Sequence, residues 1–132
     1  MLLIVGGAFQ GKLETAKQLT GLLDGDFLDG ADCPLEKIYT ARGIRHFHEY
    51  IRRMLKEGRS PEGFLQKLFA ENPGIVLIST ELGYGIVPMD PFDRLYRETT
   101  GRVCCEAARL SEKVYRVIAG IPCCNKGETS CE

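Results

Sequence analysis

The first continuous apolar run of the sequence covers residues 1–5, and a glycine-rich turn and a helical pattern follow it directly. An apolar run of this length predicts a buried strand, and apolar residues every three or four positions predict a helix over 12–23, stopped by Gly25. A second apolar run at 75–80 predicts a central strand of a parallel sheet. These patterns are typical of an α/β fold.

The remaining elements follow from similar patterns. Short strands are predicted at 26–30 and 114–119, and helices within 34–58 and over 91–110. Ser60 as the cap and Pro61 at the first helical position predict a further helix that ends near residue 72. Residues 123–132 are polar and are expected to form a loosely ordered, cysteine-containing tail, so residues 1–122 are expected to form one domain without internal repeats.

The turn after the first strand reads Gly6-Gly-Ala-Phe-Gln-Gly-Lys12. The pattern G-x-x-x-x-G-K between a strand and a helix indicates a loop whose backbone N–H groups hold phosphates, with the lysine near the outer phosphates. The alternative is a glycine-rich turn that binds nothing. The expected nucleotide-binding residues are Gly6, Gly7, Ala8, Phe9, Gln10, Gly11, Lys12 and Leu13, with Lys12 also as the catalytic residue.

Leu13 departs from this pattern, in which a serine or threonine hydroxyl after the lysine ligates Mg²⁺. Thr15 is the nearest hydroxyl, but two positions along a helix rotate it by roughly 200°. The sequence therefore favours phosphate binding over metal-dependent phosphoryl transfer.

Two carboxylates follow predicted strands. Asp29 ends the segment 26–30 and is a candidate Mg²⁺ ligand, with a solvated turn aspartate as the alternative. Glu81 follows the run 75–80 and is expected either to accept hydrogen bonds from ribose hydroxyls or to help hold a metal, with a purely structural loop as the alternative. His46 and His48 fall within the predicted helical segment 34–58, where a spacing of two should make them diverge as separate surface or boundary residues.

Composition narrows the class of protein. The chain has 132 residues, 44% hydrophobic and 27% charged, with a formal net charge of −1, which predicts one globular domain and no general nucleic-acid or membrane-surface binding. No apolar run reaches membrane-spanning length and no secretion signal is evident, so a cytoplasmic protein is expected. The six cysteines are then expected to be reduced thiols, and the alternative is that Cys123, Cys124 and Cys131 bind a soft metal or oxidise.

Four segments together resemble the bifunctional adenosylcobinamide kinase/adenosylcobinamide-phosphate guanylyltransferase family of cobalamin biosynthesis. They are the loop 6–12, the glycine-punctuated segment 81–88, the run 94–102 and the Ala-Gly-Ile-Pro sequence at 119–122. The resemblance implies a P-loop NTPase-like fold of three layers, with a mostly parallel sheet flanked by helices. It also implies GTP or ATP with Mg²⁺ as cofactors, a corrinoid (adenosylcobinamide) as a partner, and a homo-oligomer.

Family members transfer GMP through a histidine that lies in a segment between the first helix and the next strand, and this sequence lacks that segment. The leading hypothesis is therefore a purine-nucleotide-binding protein with kinase-like phosphoryl transfer and without guanylyl transfer. The alternative is a non-catalytic nucleotide- or corrinoid-binding protein that regulates or assembles partners. A third hypothesis is a thiol or metal protein that uses the paired cysteines.

Overall fold

The computed structural model describes residues 1–7, 11–81 and 90–127 of the chain. Its strands are β1 (Leu2–Gly6), β2 (Phe27–Asp29), β3 (Gly43–Arg45), β4 (Val76–Thr80), β5 (Lys113–Ile118) and β6 (Ile121–Lys126). Its helices are α1 (Lys12–Thr20), α2 (Phe47–Lys56), α3 (Phe64–Glu71) and α4 (Pro91–Leu110), with 3₁₀ turns at Asp24–Asp26 and Leu35–Tyr39. None of the helices in these ranges combines the length and the apolar character that crossing a bilayer requires.

The six strands form one sheet in the order β2-β3-β4-β1-β5-β6. Every neighbouring pair is parallel except β5 and β6, which form an antiparallel hairpin. β1 lies between β4 and β5, with Gly6 in register with both Thr80 and Val117. The carboxyl ends of these three strands therefore meet at one edge of the sheet, which is where open α/β sheets bind ligands.

Successive residues of β1 contribute to two separate cores, because side chains alternate across a strand. Leu3 belongs to the larger core, in which α2, α3 and α4 cover one face of the sheet. Ile4 belongs to a smaller core with Ala16 of α1 on the opposite face. The molecule thus has three layers, and the fold class expected from the sequence is confirmed.

Several elements agree with their sequence patterns. Helix α4 has the predicted bounds, since Pro91 occupies its first turn and the Asp90 side chain accepts from the Phe92 N–H at 2.8 Å. Strands β1, β2, β4 and β5 lie within one or two residues of their predictions. Helix α1 ends earlier than predicted, because Gly21 adopts φ 76° and its N–H caps the Lys17 carbonyl.

Three expectations are wrong. The segment 34–58 contains the strand β3, whose three residues are too short to show a period of their own. Helix α3 begins after Gly63, and the Ser60 hydroxyl instead accepts from the Glu62 N–H in a local turn. Residues 123–126, expected to be loosely ordered, are paired in β6, because two positive-φ residues, Ala119 and Gly120, turn the chain back onto β5.

Candidate functional site

The phosphate-loop sequence joins β1 to α1, as its pattern predicts. Gly11 precedes the helix with φ 80°, a conformation that favours glycine, and among the described residues no side chain caps the first N–H groups of α1. Gly6 is required for a different reason, because a Cβ there would lie 2.6 Å from the Val117 carbonyl oxygen of β5. Ala8, Phe9 and Gln10 lie outside the described residues, so the loop is characterised by its two ends.

Lys12 folds back over the start of the loop. Its Nζ donates to the Gly7 carbonyl oxygen at 2.7 Å, so the ammonium lies near the loop backbone and not in bulk solvent. Partial burial lowers the pKa of Lys12 from its ordinary value, and the negative charge of Glu81 opposes this shift. The site therefore holds a partly desolvated cation, which attracts phosphate oxygens more strongly than a fully hydrated one.

Glu81 lies next to the first glycine of the loop. Its backbone N–H donates to the Gly6 carbonyl at 2.8 Å, which continues the β1–β4 pairing by one residue. Its carboxylate accepts from Arg116 Nη2 of β5 at 2.9 Å. The predicted carboxylate is thus brought to the loop, whereas Leu82 and the rest of the glycine-punctuated segment 82–89 lie outside the described residues.

Asp29 is not brought to the loop. It ends β2 as predicted, but β3 and β4 separate β2 from β1. Three inter-strand steps correspond to about 14 Å. One carboxylate oxygen of Asp29 accepts from the Ala31 N–H and the His46 Nδ1–H, each at 3.0 Å, and the other lies 3.7 Å from Arg45. Burial alone would raise the pKa of Asp29, but these donors and charges together lower it, so the carboxyl is ionised near neutral pH.

The two histidines do not diverge as predicted, and only His46 lies at the surface. His46 precedes α2 in the left-handed conformation (φ 54°), and only His48 lies within the helix. The two rings consequently meet edge to face with centroids 5.9 Å apart, where two positions on one helix would diverge. The His46 side chain is 50% exposed, in contrast to the buried ring of its neighbour.

His48 connects this pair to the loop. Its Nδ1 accepts from the Thr80 N–H at 3.2 Å, beside the residue pair Gly6 and Thr80. Burial lowers the pKa of His48, and the charges of His46 and Lys12 lower it further, while Glu49 and Asp29 oppose them. A neutral ring therefore lies between the phosphate loop and the Asp29–His46 contact.

Among the described residues, no group of three or more His, Cys, Asp or Glu side chains is arranged to hold a metal ion. Sequence reasoning missed Arg116 and the position of His46. Arg116 is a basic residue that interrupts an apolar and aromatic run over 114–118, and that interruption is a usable signal. His46 required knowledge of β3, and three residues gave no pattern from which to infer that strand.

Comparisons with known proteins identify the family of the chain. The family model described as cobinamide kinase / cobinamide phosphate guanyltransferase matches residues 45–124, which is more than half of the chain. The bifunctional adenosylcobalamin biosynthesis protein CobP of Pseudomonas aeruginosa is 37% identical over 65 residues, or 48% of this chain. The matched part spans 38% of the length of that relative. The chain belongs to the cobinamide kinase / cobinamide phosphate guanyltransferase family.

Proposed function

We propose that this chain binds a purine nucleotide, ATP or GTP, at residues 6–13 and transfers its terminal phosphoryl group to a hydroxyl of a cobinamide-type corrinoid. The observation that carries the proposal is the position of Lys12, folded onto the loop backbone through the Gly7 carbonyl. Phosphoryl transfer needs positive charge beside the transferred group, whose oxygens are negatively charged. It needs little covalent chemistry from the protein. Lys12 is the catalytic residue in this proposal because it supplies that charge.

The two ends of the loop support phosphate binding in complementary ways. At one end, the first turn of α1, which no described side chain caps, offers N–H groups and the positive end of the helix dipole. At the other end, Gly6 allows the backbone to pass close to β5. Both ends of the loop therefore support the proposed phosphate binding even though Leu13 replaces a hydroxyl.

Mg²⁺ is assigned to Glu81 in this proposal and not to Asp29. Glu81 follows the strand that neighbours β1, whereas Asp29 lies two strands beyond that position and is already bonded to His46. A magnesium ion held by Glu81 would supply positive charge for the phosphate oxygens. A carboxylate beside the loop suits this task, and the proposed metal contact would replace the Arg116 ion pair.

A second candidate function is nucleotide binding without turnover, and Leu13 favours it. Its side chain packs partly against the smaller core, so the first turn of α1 presents an apolar group where the loop pattern has a metal ligand. A protein of this kind acts by binding a nucleotide or a corrinoid and by assembling with partners. Self-association follows from the family resemblance, and light scattering on purified protein measures it directly.

Calorimetric titration of ATP and of GTP, with and without Mg²⁺, tests the proposal, followed by a turnover assay with adenosylcobinamide on the same sample. Wild type should bind one nucleotide more tightly with Mg²⁺ and form phosphorylated corrinoid. Lys12→Ala should lose most of the nucleotide affinity and all detectable turnover. Lys37→Ala removes an exposed lysine far from the loop in sequence and should behave as wild type.

Glu81→Gln separates the two parts of the proposal. Nucleotide affinity measured in EDTA should be retained, while the gain on adding Mg²⁺ should disappear. Binding without product formation by wild type would favour the second candidate function. Unchanged nucleotide affinity in Lys12→Ala would contradict the assignment of the loop.

A further inference from the structure

The contact between Asp29 and His46 has the geometry of a carboxylate–imidazole dyad. Asp29 is ionised and can only accept a hydrogen bond, so the 3.0 Å contact requires the proton on Nδ1 of His46. In the neutral ring the lone pair is then on Nε2. The side chain of His46 is half exposed, so a substrate group can reach this nitrogen.

The backbone holds His46 in this arrangement. A non-glycine residue at φ 54° and ψ 44° is sparsely populated, and the surrounding structure must enforce it. Gly30 helps to hold this conformation, because its N–H donates to the Arg45 carbonyl at 2.8 Å. Only glycine allows the close approach, since a Cβ on residue 30 would overlap the His46 carbonyl oxygen. Arg53 fixes the same turn by donating to the Gly30 carbonyl at 3.0 Å. Together with Asp29, these three residues hold the turn and the ring of His46 in place, although His46 belongs to neither hydrophobic core.

The dyad lies on the β4 side of the phosphate loop. His46 follows β3, which is two strands from β1, a separation of about 10 Å. His48 fills part of this space, and its Nδ1 is already occupied by the Thr80 N–H. An acceptor hydroxyl bound in the remaining gap would lie between the loop that holds Lys12 and Nε2 of His46, with the outer phosphate on one side and the base on the other.

We propose that His46, oriented by Asp29, is the general base that removes the proton from the acceptor alcohol during phosphoryl transfer. The inference rests on the proposed kinase function. In the step, the alcohol oxygen forms a bond to the terminal phosphorus while its proton moves to His46 Nε2. The bond between that phosphorus and the bridging oxygen breaks, and the nucleoside diphosphate leaves with the electron pair. His46 is the catalytic residue of this step, and Asp29 is a positioning residue.

Charged and titratable groups surround the dyad on every neighbouring element. They differ in sign, so the pH profile of a variant must be compared with that of wild type and not interpreted alone. Arg45 on β3 acts on Asp29 directly. His48 on α2 contacts the His46 ring and is itself influenced by Glu49 on α2 and Lys12 on α1.

The test is steady-state phosphoryl transfer from γ-labelled ATP or GTP to adenosylcobinamide, measured from about pH 5.5 to about pH 8.5, the range in which imidazoles titrate. In wild type kcat should fall toward low pH. In His46→Asn kcat should fall by about 100-fold or more, the usual contribution of a general base. The decrease of kcat toward low pH that is due to the base should disappear. KM for the nucleotide should stay within about twofold of the wild-type value, because the substitution leaves the loop unchanged.

Asparagine suits position 46 because it tolerates a left-handed backbone, and His46→Gly is a second variant that removes the ring without backbone strain. Asp29→Asn should lower kcat by a smaller factor, since the imidazole remains but loses its orientation. Asp32→Asn and Arg42→Asn are exposed control variants in the segment between β2 and β3 and should match wild type.

The failures of the two proposals are distinguishable. Wild-type turnover with equal kcat and an unchanged acid limb in folded His46→Asn and His46→Gly would overturn the dyad and leave the kinase intact. Absence of turnover in wild type would overturn the kinase proposal and the dyad with it. A loss of nucleotide affinity in His46→Asn, with kcat retained, would assign the residue to nucleotide binding and also contradict the dyad.

Discussion

Arg116 and Glu81 form an ion pair of 2.9 Å that passes over the carboxyl end of β1. Arg116 belongs to β5 and Glu81 directly follows β4, and β1 lies between those two strands in the sheet. Their side chains are 41% and 20% exposed, so water screens the pair only in part. The pair therefore ties together the two strands that flank the phosphate loop.

A double-mutant cycle should detect this coupling. We expect Glu81→Gln and Arg116→Gln to show an interaction energy of about 0.5–1 kcal/mol in urea unfolding without nucleotide, the range of partly exposed pairs. Lys67 and Glu71 of α3, 3.9 Å apart and at least half exposed, form the control pair and should couple more weakly. Strictly additive effects of the two substitutions at 81 and 116 would contradict the prediction.

Gly43 of β3 should not tolerate a larger residue. A Cβ at this position would lie 2.6 Å from two ring atoms of Phe27, which belongs to the neighbouring strand. Gly43→Ala is expected to lower the free energy of unfolding by about 1–3 kcal/mol, the usual cost of overpacking. Thermal or urea unfolding measures this change.

Two comparisons make the Gly43 prediction specific. In Gly43→Ala with Phe27→Leu, the loss should be smaller than the sum of the two single losses, because the clashing ring edge is gone. Gly74→Ala introduces a methyl group with no atom within 4 Å and should change stability little. A neutral Gly43→Ala would show that the Phe27 ring moves without cost.

Most of the fold was predictable because its signals are local. The runs at β1 and β4 are continuous and apolar, and the cap and proline of α4 mark its start. The loop sequence between a strand and a helix also predicts that Gly6, Gly11 and Lys12 lie together. Lys12 and Glu81 do lie at one site, since the Glu81 carboxylate is near enough to raise the pKa of Lys12 against the effect of burial.

The rest depends on pairing between distant segments. Strand β3 is three residues long and exists because it fills the space between β2 and β4. Because the sequence does not reveal β3, it predicts His46 on a helix and Asp29 near the loop, and the structure contradicts both predictions. The hairpin strand β6 is mostly exposed, so its stability comes from hydrogen bonds to β5 and not from an apolar pattern. Sequence periodicity carries no record of such pairing.

The stability of the protein should fall below about pH 6.5 because of His48. Burial lowers the pKa of this histidine in the folded state, so the unfolded chain binds the proton more readily. Acid therefore favours unfolding from the unfolded-state pKa downward, until the pH passes the folded-state pKa. For one proton the slope reaches at most about 1.4 kcal/mol per pH unit.

Urea unfolding at several pH values checks this prediction. His48→Asn should flatten the profile in this window, because an asparagine oxygen can still accept from the Thr80 N–H but does not titrate. Asp29 also has a lowered pKa, but its contribution is lost only as the pH falls below about 4, the ordinary value for aspartate. Equal slopes in wild type and His48→Asn between about pH 6.5 and about pH 5 would contradict the assignment.

The cysteines should differ in reactivity according to burial. Cys105 and Cys123 are exposed, whereas Cys33 is buried and Cys104 is partly covered, with its Sγ donating to the Ser79 hydroxyl at 3.7 Å. Burial raises the pKa of both Cys33 and Cys104. Alkylating reagents attack the thiolate, so these two thiols should react at least about tenfold more slowly than the exposed pair.

Differential labelling with light and heavy iodoacetamide, read by peptide mass spectrometry, measures the individual rates. In native protein at pH 7.5, the light label should enter Cys105 and Cys123 first, and Cys33 and Cys104 should take the heavy label after addition of urea. Cys105→Ser is the matched control, because it removes an exposed neighbour of Cys104 without opening the core. Rapid native labelling of Cys104 would contradict the prediction and show that the packing of α4 against β4 opens to reagent, and the slow rate of Cys33 would then distinguish local opening from global unfolding.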